Sequence, residues 1–123
     1  IPVTGIGVNR KKSVQEDAIY TLMEQIADYT GARFPLPREA VSVFDDYVGP
    51  GYSLPTDAMV EAVTMLARTE SILLDPVYSG KAMSGLIDLA RKGWFPKGSR
   101  VLFLHTGGSP ALFAYEDTFR KAW

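Results

Sequence analysis

Two short stretches of this sequence place polar or aromatic side chains among small residues, directly after an apolar run. Residues 75–81 (DPVYSGK) follow the run SILL, and residues 105–110 (HTGGSP) follow the run RVLFL. Each stretch could begin a helix, and the free amides and dipole of a helix N-terminus favour anions and polar ligand atoms. A proline-bounded loop, residues 49–55, adds Tyr52. These three segments are the candidate positions for binding or chemistry.

Each candidate also has a purely structural interpretation. The triplet Thr106-Gly107-Gly108 is typical of a tight turn before a helix. Tyr52 and Tyr78 can be packing residues whose hydroxyls reach solvent. Three further residues have equally plain interpretations, as a turn former, a solvated side chain and a structural histidine respectively: Asp75, Lys81 and His105. The residues alone leave both interpretations open.

Composition excludes several classes of function. The chain has 123 residues, about one small domain, and its 46% hydrophobic and 22% charged residues are typical of a globular protein. A net charge of −1 gives no basic field for nucleic acid or an anionic membrane surface. With no cysteine and one histidine, a metal site is not expected, and a reducing, cytoplasmic location fits. No apolar run is long enough to span a bilayer, and neither a Walker motif nor a G-x-G-x-x-G fingerprint occurs.

Hydrophobic periodicity predicts four helices. The first begins at a capping box formed by Ser13 and Glu16 and ends at Gly31; the second follows Thr56. The third follows Gly80 and ends before Gly93, and a short fourth begins at residues 109–110. The predicted inward faces of the first three are, in order, Ile19, Leu22, Met23 and Ile26; Met59, Ala62, Val63 and Leu66; and Met83, Leu86, Ile87 and Ala90.

Four strand-like runs alternate with these helices, at residues 1–8, 40–44, 71–75 and 100–105. The last two are apolar on both faces, which favours parallel strands buried under helices. The predicted class is therefore α/β, an open, largely parallel sheet with flanking helices. Because the chain opens inside an apolar run without an initiator methionine, we expect it to be a piece of a longer protein.

Three motifs, in order, resemble one enzyme family. The runs LLDPVYSGKAMSGLIDLARKG (73–93) and VLFLHTGGSPALFAY (101–115), with the loop GPGYSLPTD (49–57), closely resemble the C-terminal region of D-cysteine desulfhydrases and aminocyclopropane-carboxylate deaminases. The resemblance covers nearly the whole chain. It implies a fold-type-II pyridoxal-phosphate enzyme, similar to the tryptophan synthase β chain, with residues 1–123 as the C-terminal portion of its larger, cofactor-binding domain.

The resemblance also implies roles for individual residues. Tyr78 matches the tyrosine that lies against the pyridine ring of pyridoxal phosphate and is proposed to assist proton transfer, and Tyr52 matches a second active-site tyrosine. Thr106 matches the hydroxyl residue near the pyridine nitrogen, while Gly107 allows close backbone approach to the ring. Ser79 stands where deaminases usually carry glutamate, which favours the desulfhydrase branch. The family's Schiff-base lysine, catalytic serine and phosphate loop lie upstream and match no residue here.

The function implied is elimination from D-cysteine, giving pyruvate, ammonia and hydrogen sulfide, in a cytoplasmic homodimer that includes the remaining N-terminal part of the enzyme. This chain alone is expected to be inactive. Aminocyclopropane-carboxylate deaminase and L-cysteate sulfo-lyase remain alternatives within the same chemistry. An alternative of another class is a non-catalytic module that binds an amino acid or pyridoxal phosphate. Neither a metal, a nucleic acid nor a membrane is expected as a partner.

Overall fold

A parallel βαβ unit opens the chain. Strands β1 (Thr4–Ile6) and β2 (Ser42–Phe44) pair in parallel, and helix α1 (Lys12–Thr30) is the crossover that such pairing requires. The structure, a computed structural model, describes residues 2–33, 35 and 37–121. Both strands are shorter than predicted, and the predicted strand position Ile1 lies outside the described residues. A 3-10 turn at residues 38–40 precedes β2.

The predicted start of α1 is wrong, whereas its predicted end is confirmed. Lys11 is the N-cap and its side chain makes no capping hydrogen bond. Glu16, the predicted capping partner of Ser13, instead accepts a hydrogen bond of 3.1 Å from the Val43 amide of β2. Gly31 ends the helix in the left-handed region, with φ of 67°. No residue of α1 is buried, and Leu22 and Ile26 of the predicted inward face are about half exposed.

The core lies between helices α2 (Asp57–Glu70) and α3 (Ser79–Arg91). The predicted start of α2 after Thr56 is confirmed, and Thr56 caps the helix by accepting a hydrogen bond from the Met59 amide. The buried apolar cluster is Met59, Ala62, Val63, Leu74 and Met83. The prediction for α3 is wrong at Ala90, which is exposed, while Leu89 is buried in its place. Gly93 follows α3 with φ of 70°, the predicted stop.

Gly80 permits the close contact between α2 and α3. A Cβ atom at this position would lie 2.6 Å from the Asp75 carbonyl oxygen and 2.8 Å from Cγ2 of Val63. Real side chains do not tolerate such distances, so only glycine allows α3 to pack this tightly over α2. The start of α3, which carries two of the candidate residues, is therefore fixed by packing as well as by hydrogen bonds.

The two remaining predicted strands do not form ladders. Residues 71–75 and 100–105 have no regular secondary structure and join no sheet among the described residues. A strand exists only through hydrogen bonds to a neighbour. Phe103 of the second run packs against the core, whereas Leu102 and Leu104, at 91% and 78% exposure, are left uncovered among the described residues.

The chain ends in a 3-10 helix (Ser109–Tyr115) that continues into α4 (Glu116–Arg120), so the predicted fourth helix is mostly 3-10. Within the described residues, no helix combines the length and apolarity needed to cross a membrane. The same residues contain no cluster of histidine, aspartate and glutamate suited to a metal ion.

Candidate active site

Asp75 organises the turn that begins α3. Its carboxylate is 1% exposed and accepts hydrogen bonds from the amides of Val77, Tyr78 and Ser79 at 2.7–2.8 Å, and from the Ser79 hydroxyl at 2.6 Å. Burial by itself raises the pKa of Asp75, but these hydrogen bonds outweigh it and hold the pKa below its ordinary value. Asp75 is thus the turn former that the sequence indicates, ionised at neutral pH.

The turn presents Tyr78 to the surface, where it meets Tyr52. The two phenol oxygens are hydrogen-bonded, and the rings lie edge to face with centroids 6.1 Å apart. Tyr78 is 50% exposed and Tyr52 is 46% exposed. The hydrogen bond with Tyr78, together with partial desolvation, raises the pKa of Tyr52. Either phenol oxygen can be the donor in this pair, so one of the two hydroxyl protons is directed out of the pair and is available to a ligand.

Lys81 is buried, contrary to the expectation of a solvated side chain. Its ammonium group donates to the backbone carbonyls of Val48 at 2.6 Å and of Gly51 at 3.0 Å. Sequence reasoning missed this residue because the acceptors are 33 and 30 positions away. One local signal was present: small residues, Ser84 and Gly85, stand three and four positions later on the same helix face.

Tyr115 holds the other side of the Tyr52 loop and was also missed. Its hydroxyl donates to the Ser53 carbonyl at 2.6 Å and is hydrogen-bonded to the Ser53 side chain. Ser53 has φ of 62°, a left-handed conformation that costs a non-glycine residue energy. Tyr115 therefore stabilises a loop conformation that the local sequence does not favour.

The Thr106 loop contacts this assembly through Asp75. A Cβ atom built on Gly108 would lie 3.1 Å from Cβ of Asp75, so the loop backbone packs directly on the carboxylate turn. His105 is structural: its Nδ1 accepts from the Gly107 amide at 2.9 Å, and its Nε2 therefore donates to the Leu73 carbonyl at 3.0 Å. Thr106 itself is exposed and lies in the same loop as Gly107.

The predicted site residues are thus only partly brought together. Tyr52 and Tyr78 are in contact, and the Thr106–Gly107 loop adjoins their turn, but Ser79 directs its hydroxyl to the buried side of Asp75. A cleft of about 430 Å³ between α2 and α4, lined mainly by apolar side chains such as Leu112 and Phe119, does not include these residues. The tyrosine pair therefore lies on an open, half-exposed surface.

Comparison with known proteins identifies the family. Residues 2–107 match the family model described as pyridoxal-phosphate dependent enzyme. The chain belongs to the pyridoxal-phosphate-dependent enzymes.

Individual members of this family match nearly the whole chain. A 1-aminocyclopropane-1-carboxylate deaminase of Rhizobium radiobacter is 39% identical over 119 residues, covering 97% of this chain and 35% of the relative. A D-cysteine desulfhydrase of Salmonella typhi is 44% identical over 116 residues, covering 94% of this chain and 34% of the relative. A solved structure described as an ACC deaminase homologue superposes with a TM-score of 0.83 at 33% identity, covering 98% of this chain and 35% of that one. The α/β fold class is thereby confirmed, and the chain spans about a third of the length of the relatives it matches.

The surface around the tyrosine pair fits the flat ring of pyridoxal phosphate. Gly107 has φ of 88°, and a Cβ atom there would meet nothing within 4 Å, so bare backbone faces open space. The half-exposed rings of Tyr52 and Tyr78 supply aromatic surface, and Thr106 supplies a neutral hydroxyl. Together these four residues, Tyr52, Tyr78, Thr106 and Gly107, form one wall of the candidate site. Such a wall can orient a planar cofactor and offer it hydroxyl protons.

Replacing Tyr115 with phenylalanine should loosen the Tyr52 loop. The substitution removes the hydrogen bonds to Ser53, so we expect a loss of about 1 kcal/mol in the free energy of unfolding, measured with urea. Tyr29→Phe is the matched control, because Tyr29 is almost fully exposed and should leave stability unchanged. Adding Ser53→Gly should recover part of the loss, since glycine adopts the left-handed conformation without strain. An unchanged free energy of unfolding in Tyr115→Phe would contradict this account of the loop.

Proposed function

We propose that this chain forms the tyrosine-bearing wall of the active site of a pyridoxal-phosphate-dependent carbon–sulfur lyase acting on D-cysteine. In this reaction D-cysteine and water give pyruvate, ammonia and hydrogen sulfide. The observation that carries the proposal is the hydrogen-bonded pair of Tyr52 and Tyr78, half exposed beside the Asp75 turn on which the Thr106–Gly107 loop packs. Pyridoxal phosphate would supply the electron sink that makes the substrate α-carbon acidic.

Each residue of this wall has a distinct proposed role. Tyr78 would lie against the cofactor ring and move a proton at its phenol oxygen, while Tyr52, which is hydrogen-bonded to that oxygen, would orient it. Thr106 lies near the pyridine nitrogen, where a neutral hydroxyl stabilises protonation less than a carboxylate would. Gly107 lets the backbone approach the ring edge. Ser79 stays a predicted cofactor contact, although its hydroxyl already donates to Asp75 and accepts from the Asp75 amide at 2.8 Å.

We also propose that these residues are the C-terminal portion of the cofactor-binding domain, and that the rest of the enzyme completes the site. Two features support this: the chain spans 34–35% of the length of these relatives, and the leucines of residues 101–105 are exposed on a segment that pairs with no strand among the described residues. Further strands beside residues 71–75 and 100–105 would bury these leucines and complete a parallel sheet. A cytoplasmic homodimer remains the expected assembly.

The choice of D-cysteine over the cyclopropane substrate has one feature in its favour. Position 79 is serine, and its hydroxyl is buried against the Asp75 carboxylate. This position therefore places no acidic side chain beside Tyr78. The alternative, an aminocyclopropane-carboxylate deaminase, is favoured by the 39% identity to a relative with that name. A substrate test is therefore needed to decide between them.

The decisive experiment is a substrate panel on the complete enzyme loaded with pyridoxal phosphate. We expect D-cysteine to give pyruvate and sulfide, with L-cysteine as the stereochemical control. If aminocyclopropane-carboxylate gives 2-oxobutyrate with a higher kcat/KM than that for D-cysteine, the enzyme is a deaminase and this proposal is wrong. If L-cysteate gives sulfite with a higher kcat/KM, the enzyme is a sulfo-lyase. Cofactor binding without turnover of any of these substrates would favour the non-catalytic module. Residues 1–123 alone should produce no pyruvate.

A further inference from the structure

Lys81 has an unusual environment for a lysine. The side chain is 0% exposed, and within the described part of the chain no carboxylate pairs with its ammonium group. The partners are two backbone carbonyls, at 2.6 and 3.0 Å. Burying a cation without a counter-ion is costly, and desolvation lowers the pKa of Lys81 accordingly. The segments that the ammonium group holds in place explain why the protein tolerates this desolvation cost.

The carbonyls belong to the loop that carries Tyr52. Val48 stands four residues before Tyr52, and Gly51 immediately precedes it. The Gly51 carbonyl also accepts a hydrogen bond from the Leu54 amide at 3.3 Å, which closes the turn around Tyr52. The Lys81 ammonium group is therefore hydrogen-bonded to this turn, and Tyr115 is hydrogen-bonded to Ser53, the residue after Tyr52.

Lys81 is joined equally closely to Tyr78. It stands three residues later in the chain, in the first turn of α3, and the amide of the next residue, Ala82, donates to the Tyr78 carbonyl at 2.9 Å. Lys81 thus connects the two tyrosines. Its backbone lies in the helical turn that begins at Tyr78, and its ammonium group is hydrogen-bonded to the turn that carries Tyr52. The two tyrosines also meet directly, through the hydrogen bond of their hydroxyls and the edge-to-face contact of their rings.

We propose that Lys81 is a positioning residue of the active site, whose buried ammonium group sets the Tyr52 loop against helix α3 so that the Tyr52–Tyr78 hydrogen bond can form. Its consequence for catalysis rests on the proposed function; its consequence for the tyrosine pair does not. The substrate never touches Lys81, and its effect on turnover passes entirely through Tyr52.

The test compares Lys81→Met, which keeps an apolar stem and removes the ammonium group, with Lys92→Met, an exposed lysine at the end of the same helix. The apparent pKa of Tyr52 is obtained as the difference between tyrosine absorbance titrations with and without Tyr52→Phe, in the complete protein. With Lys81 present the pKa is raised; in Lys81→Met we expect it to fall to about 10, the ordinary value. Loss of a nearby positive charge alone would push the pKa upward, so a fall reports the broken hydrogen bond.

Kinetics supply a second measurement. In Lys81→Met we expect kcat to fall about 10- to 100-fold with KM changed less, as for a misplaced catalytic group. Adding Tyr52→Phe should then reduce kcat little further, because two residues acting through one contact are not additive. Lys92→Met should match the unmodified enzyme in both measurements.

The outcomes separate the two hypotheses. An unchanged Tyr52 pKa in a folded Lys81→Met protein overturns the positioning role, whatever the activity. Absence of lyase activity in the unmodified enzyme overturns the proposed function, but the titration still decides the role of Lys81. Should Lys81→Met fail to fold, Lys81→Gln, which keeps neutral N–H donors, carries the same titration. Failure of both to fold, with Lys92→Met folded, overturns the proposal, because Lys81 would then support the whole helix packing rather than one loop.

Discussion

Replacing Asp75 with asparagine is expected to lower the free energy of unfolding by about 3 kcal/mol, because two or more charge-assisted hydrogen bonds are lost. All four partners of this carboxylate are donors: three backbone amides and the Ser79 hydroxyl. An asparagine of the same shape must turn its own NH2 group towards two of them. Urea unfolding measures the loss, and Asp57→Asn, on the exposed first turn of α2, is the matched control, expected to cost less than about 1 kcal/mol.

The pH dependence of the same variant tests the cause of the loss. The pKa of Asp75 is lowered in the folded protein, so its stabilisation is fully present above the unfolded value of about 3.9 and is lost as the pH falls through the folded value. The difference in stability between the unmodified protein and Asp75→Asn should therefore be largest at neutral pH and shrink below pH of about 4. A difference that stays constant down to pH of about 2 would show that lost packing, rather than the charge, explains the effect.

Local patterns predicted the elements whose stabilising contacts are local or purely apolar. Thr56 caps α2 through a hydrogen bond to a residue only three positions away. The spacing of Met59, Ala62 and Val63 puts them on one face of any helix formed there, and this face is buried. Gly31 and Gly93 end their helices for the same local reason. In contrast, Glu16 does not cap α1 because a backbone amide 27 residues away competes for its carboxylate.

The candidate site depends on distant contacts and was predictable only through resemblance to a family. Tyr52 and Tyr78 are 26 residues apart, and nothing in their local sequence indicates that their hydroxyls meet. Lys81 was misjudged because its carbonyl acceptors come from a loop 30 or more residues earlier. The runs 71–75 and 100–105 have the composition of strands, yet a strand also needs a neighbour, which the described residues do not provide.

Replacing Tyr78 with phenylalanine in the complete enzyme is expected to lower kcat by about 10²- to 10⁴-fold, the usual contribution of a positioned acid or base. The ring remains, so contact with the cofactor and KM should change little, and only the hydroxyl is removed. Tyr52→Phe should have a smaller effect, since Tyr52 acts on the reaction only through its hydrogen bond with the Tyr78 hydroxyl. Steady-state kinetics with D-cysteine provide the measurement, and cofactor absorbance confirms that binding persists.

The double variant tests whether the two tyrosines act as one unit. If Tyr52 works only by orienting the Tyr78 hydroxyl, Tyr52→Phe should have almost no effect once Tyr78 is phenylalanine, and the two losses should not multiply. Tyr29→Phe, on an exposed part of α1, is the control for the substitution itself. A loss of kcat of about threefold or less in Tyr78→Phe would be far smaller than the loss expected on removal of a catalytic tyrosine. It would show that another group moves the proton. Tyr78 would then be reduced to packing against the ring, because its aromatic face would be the only part that the reaction uses.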